Sequence, residues 1–218
     1  MPGSSVQELN TLITLLGALC ATVQFITGYY AFFYKKKKYL IKGNDILFRA
    51  HRGFGGLATA FYGLGLFAGL SSFIGSLIVY ISTGNPLGNE FFPPVEFTEL
   101  SYFIHVTGTF PTMVIILFKY YLSYFHKKTL YKRMKYLGPA TFLSWAFTWI
   151  TAAISYWIRL NPLPTHPDPH PQPLYLQLFI YAPLLQILLP FILGIIIGLI
   201  IWWKADKVQK KKDAQKKS

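Results

Sequence analysis

The sequence predicts an all-α polytopic membrane protein, a bundle of about five transmembrane helices. The chain has 218 residues, of which 53% are hydrophobic, and its apolar runs are separated by short basic or Pro-rich connections. These runs reach the ~20 residues that a helix needs to cross a bilayer. They are continuous rather than alternating, which excludes a transmembrane β-barrel.

The basic residues fall into three clusters, and the clusters lie in alternate connections between the apolar runs. They occupy 35–52, 127–135 and 204–217, and only Lys119 and Arg159 lie elsewhere. The positive-inside rule therefore predicts a cytoplasmic C-terminus and an outer N-terminus. We expect the protein in the cell membrane. Attraction to anionic lipid headgroups explains the net charge of +13 without a nucleic-acid partner.

Each predicted helix is bounded by residues that start, bend or end a helix. The second helix is rich in glycine and follows Asn44 and Asp45, either of which is a good N-cap. It is too long for one straight span, so we expect it to be tilted, to enter the interface, or to break near Ser71. Pro111 predicts a kink in the third helix, and Pro183 and Pro190 predict kinks in the fifth. The predicted helices are 9–34, 46–82, 99–126, 137–158 and 174–203, followed by a basic cytoplasmic tail at 204–218.

Histidines in these helices are the candidates for a cofactor site, because ionisable groups at membrane depth are costly and therefore functional by default. His51 lies near the inner end of the second helix, while His105 and His126 lie near the outer and inner ends of the third. Neutral imidazole is a good axial ligand for haem iron. Arg49 and Arg52 beside His51 are candidate partners of haem propionates.

These residues also resemble a known family. The segment Arg49-Ala50-His51-Arg52 at the start of a Gly-rich helix, then His105-x-x-Gly108 and Lys119 in the next, resembles the cytochrome b561 and ferric-reductase-like membrane cytochromes. The resemblance covers the second and third helices. It implies a bundle that holds b-type haem through paired histidines and transfers electrons, with His51 and His105 as ligands and Arg52 at a propionate.

The spacing of the histidines limits how they can pair. On straight antiparallel helices, a rise of ~1.5 Å per residue places His51 and His105 about 25 to 35 Å apart. They cannot then ligate one iron, so the inner candidate pair is His51 with His126. His105 needs a partner from the outer loop or from another subunit, or has none.

Three functions are compatible with these observations. The first is a b-type cytochrome, alone or as the membrane subunit of a redox complex, with a quinone, a redox protein or other membrane subunits as candidate partners. The second is a haem-free subunit that anchors or scaffolds a larger complex. The third, a transporter or channel, is disfavoured because the first, fourth and fifth helices carry no acidic residue at mid-membrane. The chain lacks soluble-enzyme motifs, so any catalysis requires a cofactor or a partner.

Overall fold

The computed structural model describes residues 2–33, 46–84, 100–160 and 183–215, and the regular structure in these ranges is α-helical. Within these ranges, four segments are long and apolar enough to cross a membrane: Leu9–Ala31, Ile46–Ser71, Lys132–Ser155 and Leu184–Val208. The prediction of an all-α polytopic membrane protein is confirmed. The described helices are α1 (Pro2–Phe33), α2 (Ile46–Thr83), α3 (Leu100–Phe125), α4 (Lys127–Leu160) and α5 (Pro183–Gln215).

α3 is not among the four membrane-crossing candidates, although it is a continuous helix of 26 residues. A fifth crossing therefore stays a prediction. Pro111 lies inside this helix, as predicted.

Two helix boundaries differ from the prediction. α4 begins at Lys127 rather than at 137, so the second basic cluster is helical. Its lysines, tyrosines and Met134 are compatible with a helix, and Pro139 does not interrupt it. The described part of the fifth helix, α5, runs from Pro183 to Gln215 and so continues beyond the predicted end at 203. The kink predicted at Pro183 stays a prediction, because the residues before it lie outside the described range. Most of the predicted tail is therefore helical. The first basic cluster up to Asp45, and residues 174–182 of the predicted fifth helix, lie outside the described residues.

α2 is unbroken, so the break that was one alternative near Ser71 does not occur. The hydroxyl of Ser71 donates to the carbonyl of Ala68 at 3.0 Å, which keeps this polar side chain satisfied within the helix. The helix ends at Gly84, whose φ is +64°. Its N–H donates to the carbonyl of Tyr80 at 2.9 Å, which is a left-handed helix cap.

α1 is the central helix of the bundle. α2, α4 and α5 pack against it, and α3 packs mainly on α4. α5 approaches α1 closely at Gly194 and Gly198, where an added Cβ atom would lie 2.6 Å from Thr22 and 2.8 Å from Ile26. Small residues at such crossings let the backbones pack closely, which is how helices associate within a bilayer.

Polar side chains join the helices in the interior. The fully buried indole of Trp149 on α4 donates to the carbonyl of Ile187 on α5 at 2.8 Å. The hydroxyls of Thr112 on α3 and Thr148 on α4 lie 3.0 Å apart. These bonds satisfy buried polar groups that would otherwise destabilise the bundle.

α2 packs mainly on α1 and α3 packs mainly on α4, so α2 and α3 make little contact with each other. Their backbones are not closely packed in the described residues. They are joined instead by Tyr62, whose hydroxyl donates to the carbonyl of Thr109 at 2.7 Å. We call the end of the bundle where α2 and α4 begin and α3 and α5 carry their last turns the basic end.

Candidate functional site

A cavity of about 120 Å³ lies near the basic end, between α1, α2, α3 and α4. Its walls are mostly apolar, and Phe25 and Phe142 contribute stacked rings with centroids 4.5 Å apart. The polar side chains at its surface are Gln24, His51, Lys119, Lys135, Tyr29 and Thr141.

His51 is held by α1 through one hydrogen bond. Its Nδ1 lies 2.9 Å from the backbone carbonyl oxygen of Gln24. Because a carbonyl oxygen can only accept, Nδ1 is the donor, and a neutral ring then carries its lone pair on Nε2. Among the described residues, no group forms a hydrogen bond with Nε2. That nitrogen is therefore available as an acceptor or a metal ligand.

Two glycines allow the close contact between α1 and α2 around His51. Gly28 on α1 lies against the imidazole, since an added Cβ atom would be 2.6 Å from Cε1. Gly55, one turn beyond His51 on α2, lies against the side-chain amide of Gln24. At position 28 a Cβ atom would displace the His51 ring, whereas at position 55 it would displace the end of the Gln24 side chain.

Two lysines line the cavity, and they differ in their surroundings. Lys135 is exposed, with its ammonium nitrogen 4.7 Å from the ring centroid of Tyr136. Lys119 is partly buried and lies near enough to His51 for its charge to act on the imidazole. In the described part of the chain, no acidic side chain pairs with Lys119.

The arginines predicted to meet propionates lie elsewhere. Arg49 and Arg52 are both exposed, and neither lines the cavity. The guanidinium carbon of Arg52 lies 5.6 Å from the ring centroid of Phe48. The structure therefore brings His51 together with Lys119 and Lys135 rather than with the two arginines.

The other two candidate histidines do not line this cavity. Nδ1 of His105 lies 3.1 Å from the hydroxyl of Thr151 on α4. His126 is exposed between α3 and α4, and its Nε2 lies 3.2 Å from the hydroxyl of Tyr121. Within the described residues, no group of three or more His, Cys, Asp or Glu side chains could hold a metal ion.

No known protein family, curated protein or solved structure matches the chain. The resemblance to membrane cytochromes thus depends on its motif residues alone. Lys119 belongs to that motif but was not predicted as a site residue. The sequence did carry a signal for it, since it is one of two basic residues outside the three clusters.

The donor set of the cavity fits the chemistry of a haem site at one axial position. His51 supplies an Nε2 lone pair, and most of the cavity walls are apolar. The cavity of about 120 Å³ is smaller than the ~300–1,000 Å³ of pockets that enclose a whole drug-sized ligand. A cavity of this size holds only part of such a ligand.

Proposed function

We propose that this chain is a membrane electron-transfer protein in which His51 ligates the iron of a b-type haem. The observation that carries the proposal is the hydrogen bond from Nδ1 of His51 to the carbonyl of Gln24. Histidines that ligate metals commonly donate their other ring N–H to a backbone carbonyl, which fixes the tautomer and the ring orientation.

Each part of the site has a role in this proposal. Haem would supply one-electron chemistry that side chains alone do not provide. His51 would bind the iron, and the Gln24 carbonyl would orient the imidazole. Phe25, Phe142 and their apolar neighbours would keep water from the metal, which tunes a reduction potential. A quinone in the bilayer or a neighbouring redox subunit remains the proposed electron partner.

The test is a difference spectrum of the detergent-purified protein after haem reconstitution, dithionite-reduced minus air-oxidised. We expect a haem α-band and Soret band in the wild type, and their loss in His51→Ala. The matched variants His105→Gln and His126→Gln should keep both bands. Loss of the bands in His126→Gln as well would instead identify the predicted pair of His51 with His126. A flat spectrum from folded wild-type protein would contradict the proposal.

A second candidate, the haem-free anchoring subunit, is favoured by one face of α2. Gly53, Gly56, Ala60 and Gly63 are all exposed on it, and an added Cβ atom at any of the three glycines would meet open space. Small residues at helical spacing allow another transmembrane helix to approach closely. A flat haem spectrum together with a co-purifying membrane partner, lost when Gly56 and Gly63 are replaced by Leu, would support this function.

We also propose that the basic end faces the cytoplasm and that the protein resides in the plasma membrane, with its N-terminus outside. The exposed lysines of α4 and α5 at that end support this orientation. Cys20, the one cysteine of the chain, is buried, so an added cysteine reports topology cleanly. On intact cells, an impermeant thiol reagent should label Ser82→Cys and spare Lys210→Cys; the reverse pattern would invert the topology.

A further inference from the structure

Lys119 is the feature of the cavity that the haem-ligand proposal does not itself require. It lies on α3, within the last two turns of the helix, and its side chain reaches the same cavity as His51. It is partly buried among apolar walls. An ammonium group in such surroundings is costly unless an opposite charge or a polar ligand compensates it.

The described protein does not provide that opposite charge. Asp206, an acidic residue at the same end of the bundle, accepts hydrogen bonds from Tyr30 at 2.7 Å and from Trp202 at 3.1 Å. It does not line the cavity. The described residues thus leave the Lys119 charge without a counter-ion.

Gln24 gives a second, independent indication. Its side-chain amide lines the cavity, and within the described residues it makes no hydrogen bond. An amide NH₂ offers two donors, and an ammonium group offers three. Two polar groups with unused donors therefore reach one small apolar space, which is the arrangement of a site that fixes the orientation of a ligand.

We infer that the cavity binds an acidic ligand, an apolar planar molecule with a carboxylate, and that Lys119 is its counter-ion. The inference depends on the proposed function for the identity of that molecule, because haem carries two propionates on an apolar ring. The carboxylate accepts hydrogen bonds from Lys119 and from the Gln24 amide. Gln24 on α1 and Lys119 on α3 thus recognise the acid, whereas His51 on α2 would ligate the iron.

The other cations near the site do not fill this role. Lys135 is exposed at the rim, with its charge over the Tyr136 ring, and solvent screens it. Arg52 is exposed on the Phe48 ring and lies outside the cavity. Removal of either should change binding less than removal of Lys119.

The test separates the acidic group from the metal by using metal-free protoporphyrin IX and its dimethyl ester, titrated by fluorescence into detergent-solubilised full-length protein. We expect the wild type to bind the free acid at least about tenfold more tightly than the diester at low salt. Lys119→Gln should reduce this ratio to near one, and Lys119→Arg should keep most of it. The exposed control Lys132→Gln should match the wild type.

The outcomes distinguish this inference from the proposed function. Equal binding of acid and diester by the wild type, or an unchanged preference in Lys119→Gln, overturns the counter-ion role of Lys119. A preference for the acid that depends on Lys119, without tighter binding of haem than of metal-free porphyrin, supports the counter-ion and overturns ligation by His51. Failure of every porphyrin to bind folded protein overturns both.

Discussion

Gly28 on α1 lies directly against the imidazole of His51 on α2. A Cβ atom at position 28 would be 2.6 Å from Cε1 and 2.8 Å from Nδ1 of the ring. Real Cβ atoms do not approach other atoms so closely, so any larger residue must move the imidazole. The same ring is fixed by its hydrogen bond to Gln24, four residues earlier on α1.

The first prediction follows from this contact. Gly28→Ala should displace the His51 ring from the Gln24 carbonyl and destabilise the protein by about 1–3 kcal/mol, as overpacking does. Bound haem, measured from the reduced-minus-oxidised spectrum, should fall with it. Gly53→Ala is the matched control, because its added Cβ meets open space on the same helix as His51. Equal haem content in Gly28→Ala and Gly53→Ala would contradict the role of this contact.

The second prediction concerns the contact between α4 and α5. Trp149 is fully buried, and its Nε1 donates to the carbonyl of Ile187. Trp149→Phe should lower the free energy of unfolding by about 1–2 kcal/mol through loss of the bond. Trp149→Ala should lower it by about 3–5 kcal/mol through the added cavity. Thermal unfolding in detergent measures both, and the exposed Trp203→Phe should leave the transition unchanged. An unchanged unfolding temperature in Trp149→Phe would mean that the hydrogen bond adds no net stability.

The third prediction concerns the basic end, where Tyr30 on α1 donates to Asp206 on α5. A hydroxyl bonded to a carboxylate typically contributes about 1.5–3 kcal/mol. Tyr30→Phe and Asp206→Ala should therefore each destabilise the protein. Their double variant should lose less than the sum, with a coupling of about 0.5–3 kcal/mol. Strict additivity would show that the pair contributes nothing, and exposed Tyr124→Phe is the control.

The fourth prediction concerns the interface of α3 with α4. The hydroxyls of Thr112 and Thr148 are buried and 3.0 Å apart. Thr112→Val keeps the side-chain shape and should lower the free energy of unfolding by about 0.6 kcal/mol, the average measured for such bonds in a membrane protein, and by no more than about 1.7 kcal/mol. Thr148 also donates to the carbonyl of Ser144 at 2.9 Å, so its hydroxyl keeps that bond in Thr112→Val. Thr148→Val and the double variant complete a cycle whose coupling energy measures the bond between the two hydroxyls.

The control for that cycle is Ser71→Ala. Ser71 is exposed on α2 and bonds only within its own helix, to the carbonyl of Ala68. Ser71→Ala should leave the unfolding temperature unchanged. If Thr112→Val were equally silent, the bond between the two threonines would not hold α3 to α4.

Sequence reasoning predicted the helices where apolar runs and basic clusters alternate. It missed the early start of α4 at Lys127 because the helix was predicted to begin at 137 with the apolar run, whereas α4 begins in the basic cluster and accommodates Pro139 in its interior. Charged residues can continue a transmembrane helix beyond the apolar core, since side chains at that depth reach water. Hydropathy marks the membrane crossing rather than the helix end.

The candidate site was predicted only in part. His51 was identified from its position, and it lines the cavity as expected of a site residue. The neighbouring arginines were expected to share the site because they are adjacent in sequence. On a helix, however, residues one or two positions apart point in different directions, so Arg52 faces outward. Lys119 and Gln24 reach the site through packing between helices, which a single sequence does not display.

The continuous extension of α5 beyond the membrane-crossing segment connects its basic last turns to α1. α5 is one continuous helix from Pro183 to Gln215, which at ~1.5 Å per residue spans about 50 Å. Near its basic end, Asp206 accepts a hydrogen bond from Tyr30 on α1. The last turns of α5 are therefore bonded, through the Asp206 carboxylate, to the helix that also carries Gln24 and Gly28.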